Sequence, residues 1–188
     1  MLLDAFIFQP DSYVPDPPPG VKQRWIVTQD GVRLHAWHAA GPEAVYDSER
    51  RRGVPAARIV CFGESLGGAV SIHLASTRPC AGVTVVSTFT CLRDVARHHV
   101  GPLAVLAGNQ FDVLARIRDL AVPILVAHGD RDDIVPFELG RRLFATANRP
   151  KRFLRVAGAH HNDVFAGPGL IEAIAEFAHA VIAGAVSL

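Results

Sequence analysis

The chain has 188 residues, of which 49% are hydrophobic and 20% are charged, a composition typical of one folded domain rather than a disordered or fibrous polypeptide. Its 19 basic and 18 acidic side chains leave a formal net charge of +1, which gives no electrostatic footprint for nucleic acid or an anionic membrane. Cys61, Cys80 and Cys91 cannot all pair and lack metal-ligand spacing, so we expect reduced thiols in a cytoplasmic protein. Because no apolar run reaches about 18 residues and no basic segment opens the chain, we expect neither a membrane-spanning helix nor a signal peptide.

The chain begins with a proline-rich leader, residues 1–20, which we expect to be extended or irregular. Residues 21–188 are expected to form a single domain. Two β-rich runs, Trp25 to Thr28 and Val32 to Trp37, flank an Asp30-Gly31 pair, which predicts an antiparallel hairpin.

Beyond the hairpin, short apolar runs alternate with helical patterns. The predicted strands, which we expect to be buried on both faces, are Arg58 to Phe62, Gly82 to Val86, Ile124 to His128 and Arg152 to Val156. The predicted helices are Leu66 to Ser76, Phe111 to Leu120, Glu138 to Ala147 and Leu170 to Ala183. His98 and His99 are expected in an irregular connection. This alternation predicts an α/β protein with a mostly parallel sheet and an N-terminal antiparallel hairpin.

A G-x-S-x-G motif, Gly63-Glu64-Ser65-Leu66-Gly67, lies between a predicted strand and a predicted helix. A serine nucleophile on such a sharp turn needs small residues two positions to either side, and Gly63 and Gly67 meet that need. The turn would expose the Ser65 hydroxyl and begin a helix beneath it. The backbone N–H of Leu66 would then lie where an oxyanion forms.

A serine hydroxyl needs a base, and the base needs an acid to orient it. Candidate acids follow the third buried strand, and candidate histidines follow the fourth, so both groups should lie at the carboxyl edge of the sheet. The spacing alone does not choose among the candidates, which are Asp130, Asp132, Asp133, His160 and His161.

These three segments together resemble the α/β-hydrolase superfamily, and within it the lidless serine hydrolases of the BEM46 type, similar to the α/β-hydrolase domain-containing 13 and 17 proteins. The resemblance covers most of residues 20–183. Gly63 to Gly68 resembles the nucleophile elbow of that family, His128 to Pro136 its acid loop, and His161 to Asp163 its histidine loop.

The resemblance implies roles for individual residues. Ser65 would be the nucleophile, and the N–H of Leu66 an oxyanion donor. Asp132 would be the acid, because it is the fourth residue after the histidine of the acid loop, and His161 the base, because it directly precedes Asn-Asp.

The resemblance also implies an activity, the hydrolysis of a small-molecule ester, thioester or amide through an acyl-enzyme, with no cofactor and no metal. It fixes neither the acyl length nor the leaving group. The competing hypothesis is a truncated hydrolase remnant without activity, which serves as an interaction module.

One family feature has no counterpart in the sequence. Only residues 42–57 separate the hairpin from the nucleophile strand, with room for one helix near Glu43 to Arg52, whereas a βαβ unit needs roughly 30 residues. We therefore predict an internal deletion of a strand, a helix and a strand, together with the loop that supplies the second oxyanion donor. Activity should be reduced. The strand Arg58 to Phe62 should keep one unpaired edge, which favours self-association.

Overall fold

The structure is a computed structural model that describes residues 22–27, 33–38, 42–107 and 111–185, with side chains described for residues 43–105 and 111–185. The predicted leader and the Asp30-Gly31 turn lie outside these residues. The chain divides into two compact units, Met1–Glu49 and Arg50–Leu188.

The first unit contains the predicted hairpin. Strands β1 (Lys22–Val27) and β2 (Arg33–His38) are antiparallel, and Trp25 lies opposite His35. They form a two-stranded sheet of their own. Helix α1 (Pro42–Arg51) begins in this unit and agrees with the single helix that the sequence predicts between the hairpin and the nucleophile strand.

The second unit is built on a parallel sheet in the order β3-β4-β5-β6, so the prediction of a mostly parallel α/β fold is confirmed. Its strands are β3 (Val60–Glu64), β4 (Gly82–Val86), β5 (Ile124–Gly129) and β6 (Lys151–Val156). Its helices are α2 (Leu66–Thr77), α3 (Leu92–Val100), α4 (Val113–Ile117), α5 (Phe137–Thr146) and α6 (Leu170–Ile182). Short 3-10 helices span Ala56–Arg58, Gly101–Ala107 and Val164–Ala166.

The core lies around the two central strands, every residue of which is buried. Leu125 of β5 packs with Phe177 and Val181 of α6 on one face, whereas His128 of the same strand meets α5 on the other. Helices therefore cover both faces. The expectation that all four strands are buried on both faces is wrong for β3 and β6, because these are the outer strands of the four-stranded sheet and are only partly buried.

Several element boundaries differ from the predictions, and one helix was not predicted. β3 begins at Val60 instead of Arg58, because residues after Pro55 form a 3-10 turn in which the Arg58 N–H donates to the Pro55 carbonyl at 2.9 Å. α4 begins at Val113, since the Asp112 carboxylate accepts the Ala115 N–H and caps the helix. His98 and His99, expected in an irregular connection, lie in α3, a helix that was not predicted although Leu92, Val95, Ala96 and Val100 recur at helical spacing.

The predicted deletion stays a prediction, and the structure shows which elements occupy this part of the chain. Residues 42–58 contain α1 and one 3-10 turn, and no strand occurs among them. Because no strand lies between α1 and β3, the sheet of the second unit is shorter than a complete α/β-hydrolase sheet would be, and β3 is its first strand.

The edge of β3 leads to a prediction about assembly. Phe62 on this strand is 49% exposed, and the strand has a β partner on only one side within the described residues. We expect concentration-dependent self-association in size-exclusion chromatography, weakened by Phe62→Lys because a charge on a strand edge opposes pairing. A chain that stays monomeric at every concentration, with strong hydrogen-exchange protection at residues 58–62, would contradict this expectation.

Candidate active site

Ser65 lies at the sharp turn between β3 and α2 that the G-x-S-x-G motif predicts. Its backbone has φ 50° and ψ −118°, in a region that residues other than glycine rarely adopt. Such a conformation costs about 1–3 kcal/mol and persists only where the surrounding structure enforces it. The Ser65 N–H donates to the Val86 carbonyl at 2.8 Å, and the Thr88 hydroxyl donates to the Ser65 carbonyl at 3.2 Å. The end of β4 therefore holds the turn in place.

Two glycines, Gly63 and Gly68, allow this turn, but only Gly63 is a position at which the sequence predicts the need for a small residue. A Cβ on Gly63 would overlap the carbonyl of Gly67, and a Cβ on Gly68 would overlap the Thr88 side chain. A Cβ on Gly67 would meet no atom within 4 Å. The expectation that Gly67 must be small is therefore wrong, because its α hydrogens face open space.

This difference gives a matched pair of variants. We expect Gly63→Ala to lower the free energy of unfolding by about 2 kcal/mol or more, since the added methyl group meets backbone and not a movable side chain. Gly67→Ala should leave stability within about 1 kcal/mol of the wild type, because alanine is favoured over glycine inside a helix. Urea unfolding of both variants measures the difference. Equal losses in the two would contradict this account of the turn.

Asp132 lies in the loop after β5, and its carboxylate is buried. Oδ1 accepts the N–H groups of Ile134 at 3.0 Å and Val135 at 2.7 Å, and Oδ2 lies 2.8 Å from Nδ1 of His161. Burial by itself would raise the pKa of this carboxyl group. The hydrogen bonds from His128, His161 and the Val135 N–H nevertheless hold the pKa well below its ordinary value, so Asp132 is ionised.

His161 lies in the loop after β6, which backbone contacts attach to the loop of Asp132. The Arg131 N–H donates to the Ala159 carbonyl at 3.0 Å. A Cβ on Gly129 would overlap that same carbonyl, so glycine at this position lets the two loops approach. The Asp163 carboxylate accepts the His160 N–H at 2.6 Å and fixes the turn that directs His161 toward Asp132.

The alternative acids and the alternative histidine have other partners. Asp130 binds the Arg155 guanidinium and accepts the Gly158 N–H at 2.7 Å. Asp133 lies 3.5 Å from His160, and these two side chains are 69% and 50% exposed. Of the five candidates, the structure joins Asp132 with His161 in a buried pair, which agrees with the choice that the family resemblance made.

The charges around His161 favour its protonated form. Burial alone would lower its pKa, but the hydrogen bond and charge of Asp132, together with the charges of Glu64 and Asp133, raise the pKa above its ordinary value. Among the described side chains, no hydrogen bond joins Ser65 to His161. Catalytic hydrogen bonds are often long in the absence of substrate, so this geometry is compatible with a base that approaches the hydroxyl on binding.

Leu66 is the first residue of α2, so its N–H has no acceptor within the helix and lies at the positive end of the helix dipole. The sequence predicts an oxyanion donor at this position. Upstream of the elbow, residues 42–58 form α1, a short irregular connection and a 3-10 turn, and they contain no strand that ends in a donor loop.

Sequence reasoning missed three residues that surround this site. His128, the first residue of the acid-loop motif, contacts the carboxylate of Asp132 at 3.3 Å. Glu64 lies near enough to His161 to affect its pKa, and Thr88 holds the elbow. The motif His-Gly-x-x-Asp could have indicated His128, since one tight turn separates its histidine from its aspartate. The positions of Glu64 and Thr88 beside the site follow only from the register of the strands.

Within the described residues, no group of three His, Cys, Asp or Glu side chains is arranged to hold a metal ion. All three cysteines are free; Cys61 is buried, and Cys80 and Cys91 are partly buried. In the part of the chain that the structure describes, no helix has the length and apolar character needed to cross a membrane.

Comparisons with known proteins support this fold. No protein-family model matches the chain. An uncharacterized protein of Mycobacterium tuberculosis is 42% identical over 128 residues, which are 66% of this chain and 46% of that protein. The human α/β-hydrolase domain-containing protein 17B is 31% identical over 114 residues, which are 61% of this chain and 39% of the human protein. The chain thus spans less than half the length of these relatives.

Solved structures show the same fold. Est1E of Butyrivibrio proteoclasticus aligns with a TM-score of 0.61 at 19% identity over 75% of this chain and 68% of its own. A thermophilic esterase of Thermogutta terrifontis gives 0.58 at 17% identity over 81% of both chains, and a monoacylglycerol lipase of Paleococcus ferrophilus gives 0.55 at 21% identity over 81% of this chain and 84% of its own. With its strand-turn-helix elbow and its parallel sheet, the chain has a shortened form of the α/β-hydrolase fold and is similar to the α/β-hydrolase domain-containing 17 proteins.

Proposed function

We propose that the chain is a serine hydrolase that cleaves a small-molecule carboxylic ester, thioester or amide through an acyl-enzyme. The observation that carries this proposal is the buried Asp132–His161 pair, joined at 2.8 Å in the loops after β5 and β6, at the same carboxyl edge of the sheet where Ser65 follows β3 in a strained turn. A strained serine and an oriented histidine are what nucleophilic catalysis of acyl transfer requires.

In this mechanism the Ser65 hydroxyl attacks the substrate carbonyl while His161 accepts its proton. Asp132 holds the imidazole with the hydrogen on Nδ1, so that Nε2 is free to act as the base, and it stabilises the imidazolium that forms. The tetrahedral oxyanion accepts the Leu66 N–H. His161 then returns the proton to the leaving group, and water activated by the same histidine releases the acyl group from Ser65.

The names of the structural neighbours favour carboxylic esters as the first substrates to test, since they include an esterase and a monoacylglycerol lipase. No cofactor or metal enters the proposed chemistry. Because the Leu66 N–H is the one oxyanion donor found within the described residues, and one missing donor typically costs about 10² to 10³ in turnover, we propose a slow hydrolase.

A second candidate function is a non-catalytic interaction module. The observation that favours it is the shortened sheet, in which β3 is an outer strand with Phe62 half exposed. Such a surface suits binding to another chain, and it requires no chemistry from Ser65.

One pair of measurements separates the two candidates. A fluorescent fluorophosphonate tests whether Ser65 reacts, and nitrophenyl esters of increasing acyl length test whether the acyl-enzyme turns over. A hydrolase should be labelled stoichiometrically and should release nitrophenol, even if slowly. A well-folded chain that takes no label and releases no nitrophenol above background would overturn the hydrolase proposal and favour the interaction module.

A further inference from the structure

His128 is a second histidine on the candidate acid. It lies in β5 and is completely buried. Its Nε2 lies 2.9 Å from the carbonyl oxygen of Val135 and 3.3 Å from Oδ2 of Asp132. His128 takes no part in the proposed reaction. A buried polar ring requires hydrogen bonds to offset the loss of water, so the partners of this ring are informative.

The contacts of Nε2 determine which nitrogen of the ring carries the hydrogen. A carbonyl oxygen only accepts hydrogen bonds, so Nε2 carries the hydrogen and donates to Val135, and Oδ2 of Asp132 lies 3.3 Å from the same nitrogen. The other nitrogen, Nδ1, is buried and has no hydrogen-bond partner among the described residues. It faces Gly140 of α5, where a Cβ would overlap it. With no partner beside Nδ1, Nε2 is the nitrogen through which His128 donates.

The carboxylate of Asp132 is thereby held at both oxygens. Oδ1 accepts two backbone N–H groups, and Oδ2 accepts the Nδ1–H of His161 and lies 3.3 Å from Nε2 of His128. Because the rings of His128 and His161 approach the same oxygen of Asp132, His128 limits rotation of this carboxylate about its Cβ–Cγ bond. We propose that His128 is a positioning residue of this site, which holds Oδ2 of Asp132 in line with Nδ1 of His161.

The catalytic consequence of this role rests on the proposed hydrolase function, but its electrostatic consequence does not. The N–H of His128 withdraws part of the charge of Oδ2. Without this donor, more of that charge would act on His161, since Asp132 keeps its two backbone hydrogen bonds. The charges of Glu64 and Asp133, which also act on His161, would be unchanged.

The test compares two substitutions of the same ring. His128→Gln places an amide N–H near the position of Nε2, whereas His128→Leu removes the donor and keeps an apolar side chain. His160→Leu is the matched control, because it removes an exposed histidine next to the site. The readouts are the NMR titration of the His161 ring, which requires no activity, and the rate of fluorophosphonate labelling.

We expect His128→Leu to raise the pKa of His161 by about half a unit and to slow labelling by about 10- to 100-fold. His128→Gln should restore both values toward the wild type, and His160→Leu should change neither. A purely structural role would lower thermal stability in both His128 variants without moving the His161 titration.

An unchanged His161 titration in folded His128→Leu would overturn the inference, as would an equal change in His160→Leu. If His128→Leu does not fold, His128→Asn takes its place, because its shorter amide does not reach Asp132. If the wild type takes no label, the hydrolase proposal fails, while the titration still decides the role of His128.

Discussion

Replacing Ser65 with alanine is expected to abolish labelling by a fluorophosphonate while the chain stays folded. The reagent forms a bond to an activated serine oxygen, and the removal of this hydroxyl leaves the strained turn without its nucleophile. Far-ultraviolet circular dichroism and thermal unfolding should match the wild type, because the Ser65 side chain makes no capping hydrogen bond to α2.

His161→Ala should suppress the same labelling by at least about 10³-fold, since a hydroxyl without its base stays protonated. His160→Ala is the control, because this neighbouring ring is half exposed and contacts Asp133 instead of Asp132. Labelling that survives in Ser65→Ala would contradict the assignment of the nucleophile. A larger loss in His160→Ala than in His161→Ala would show that the wrong histidine has been assigned.

The central part of the fold follows from local sequence because burial on both faces leaves a continuous apolar run. Gly82–Val86 is such a run, and its predicted and observed bounds coincide. The sequence pattern indicates the outer strands less clearly. β3 carries exposed Phe62 beside buried Cys61, and its start depends on a 3-10 turn after Pro55 that no apolar pattern indicates.

The candidate site likewise has one part that the local sequence predicts and another that it does not. Ser65 could be predicted from residues alone, because the motif, strand and helix around it are contiguous in sequence. The partnership of Asp132 with His161 could not, since three aspartates occur within four positions and two histidines are adjacent. That choice depends on how two loops meet in space, through the Arg131 N–H and the Ala159 carbonyl, and the family resemblance supplied it where the residues alone did not.

The largest gain in activity should come from supplying the segment that the sequence predicts to be missing. This segment is a strand that ends in a donor loop, followed by a helix and a second strand. The deletion is predicted near residues 42–57, and Pro42 belongs to α1, so an insertion after Pro42 would interrupt the first turn of that helix. The insertion therefore belongs ahead of Pro42, between β2 and α1.

We expect this insertion to raise the turnover of a nitrophenyl ester by about 10² or more, the typical effect of one oxyanion donor together with better positioning of the substrate. The matched control is the same insertion with proline at the donor position, which keeps the added strands but removes the N–H group. The control should fold equally well, cover the edge of β3, and stay close to the rate of the original chain. If both insertions fold and neither changes the rate, oxyanion stabilisation is not what limits this chain. A rise of equal size in both would assign the gain to the repaired sheet instead of the donor, because a hydrogen bond to the oxyanion is the only interaction that the proline removes.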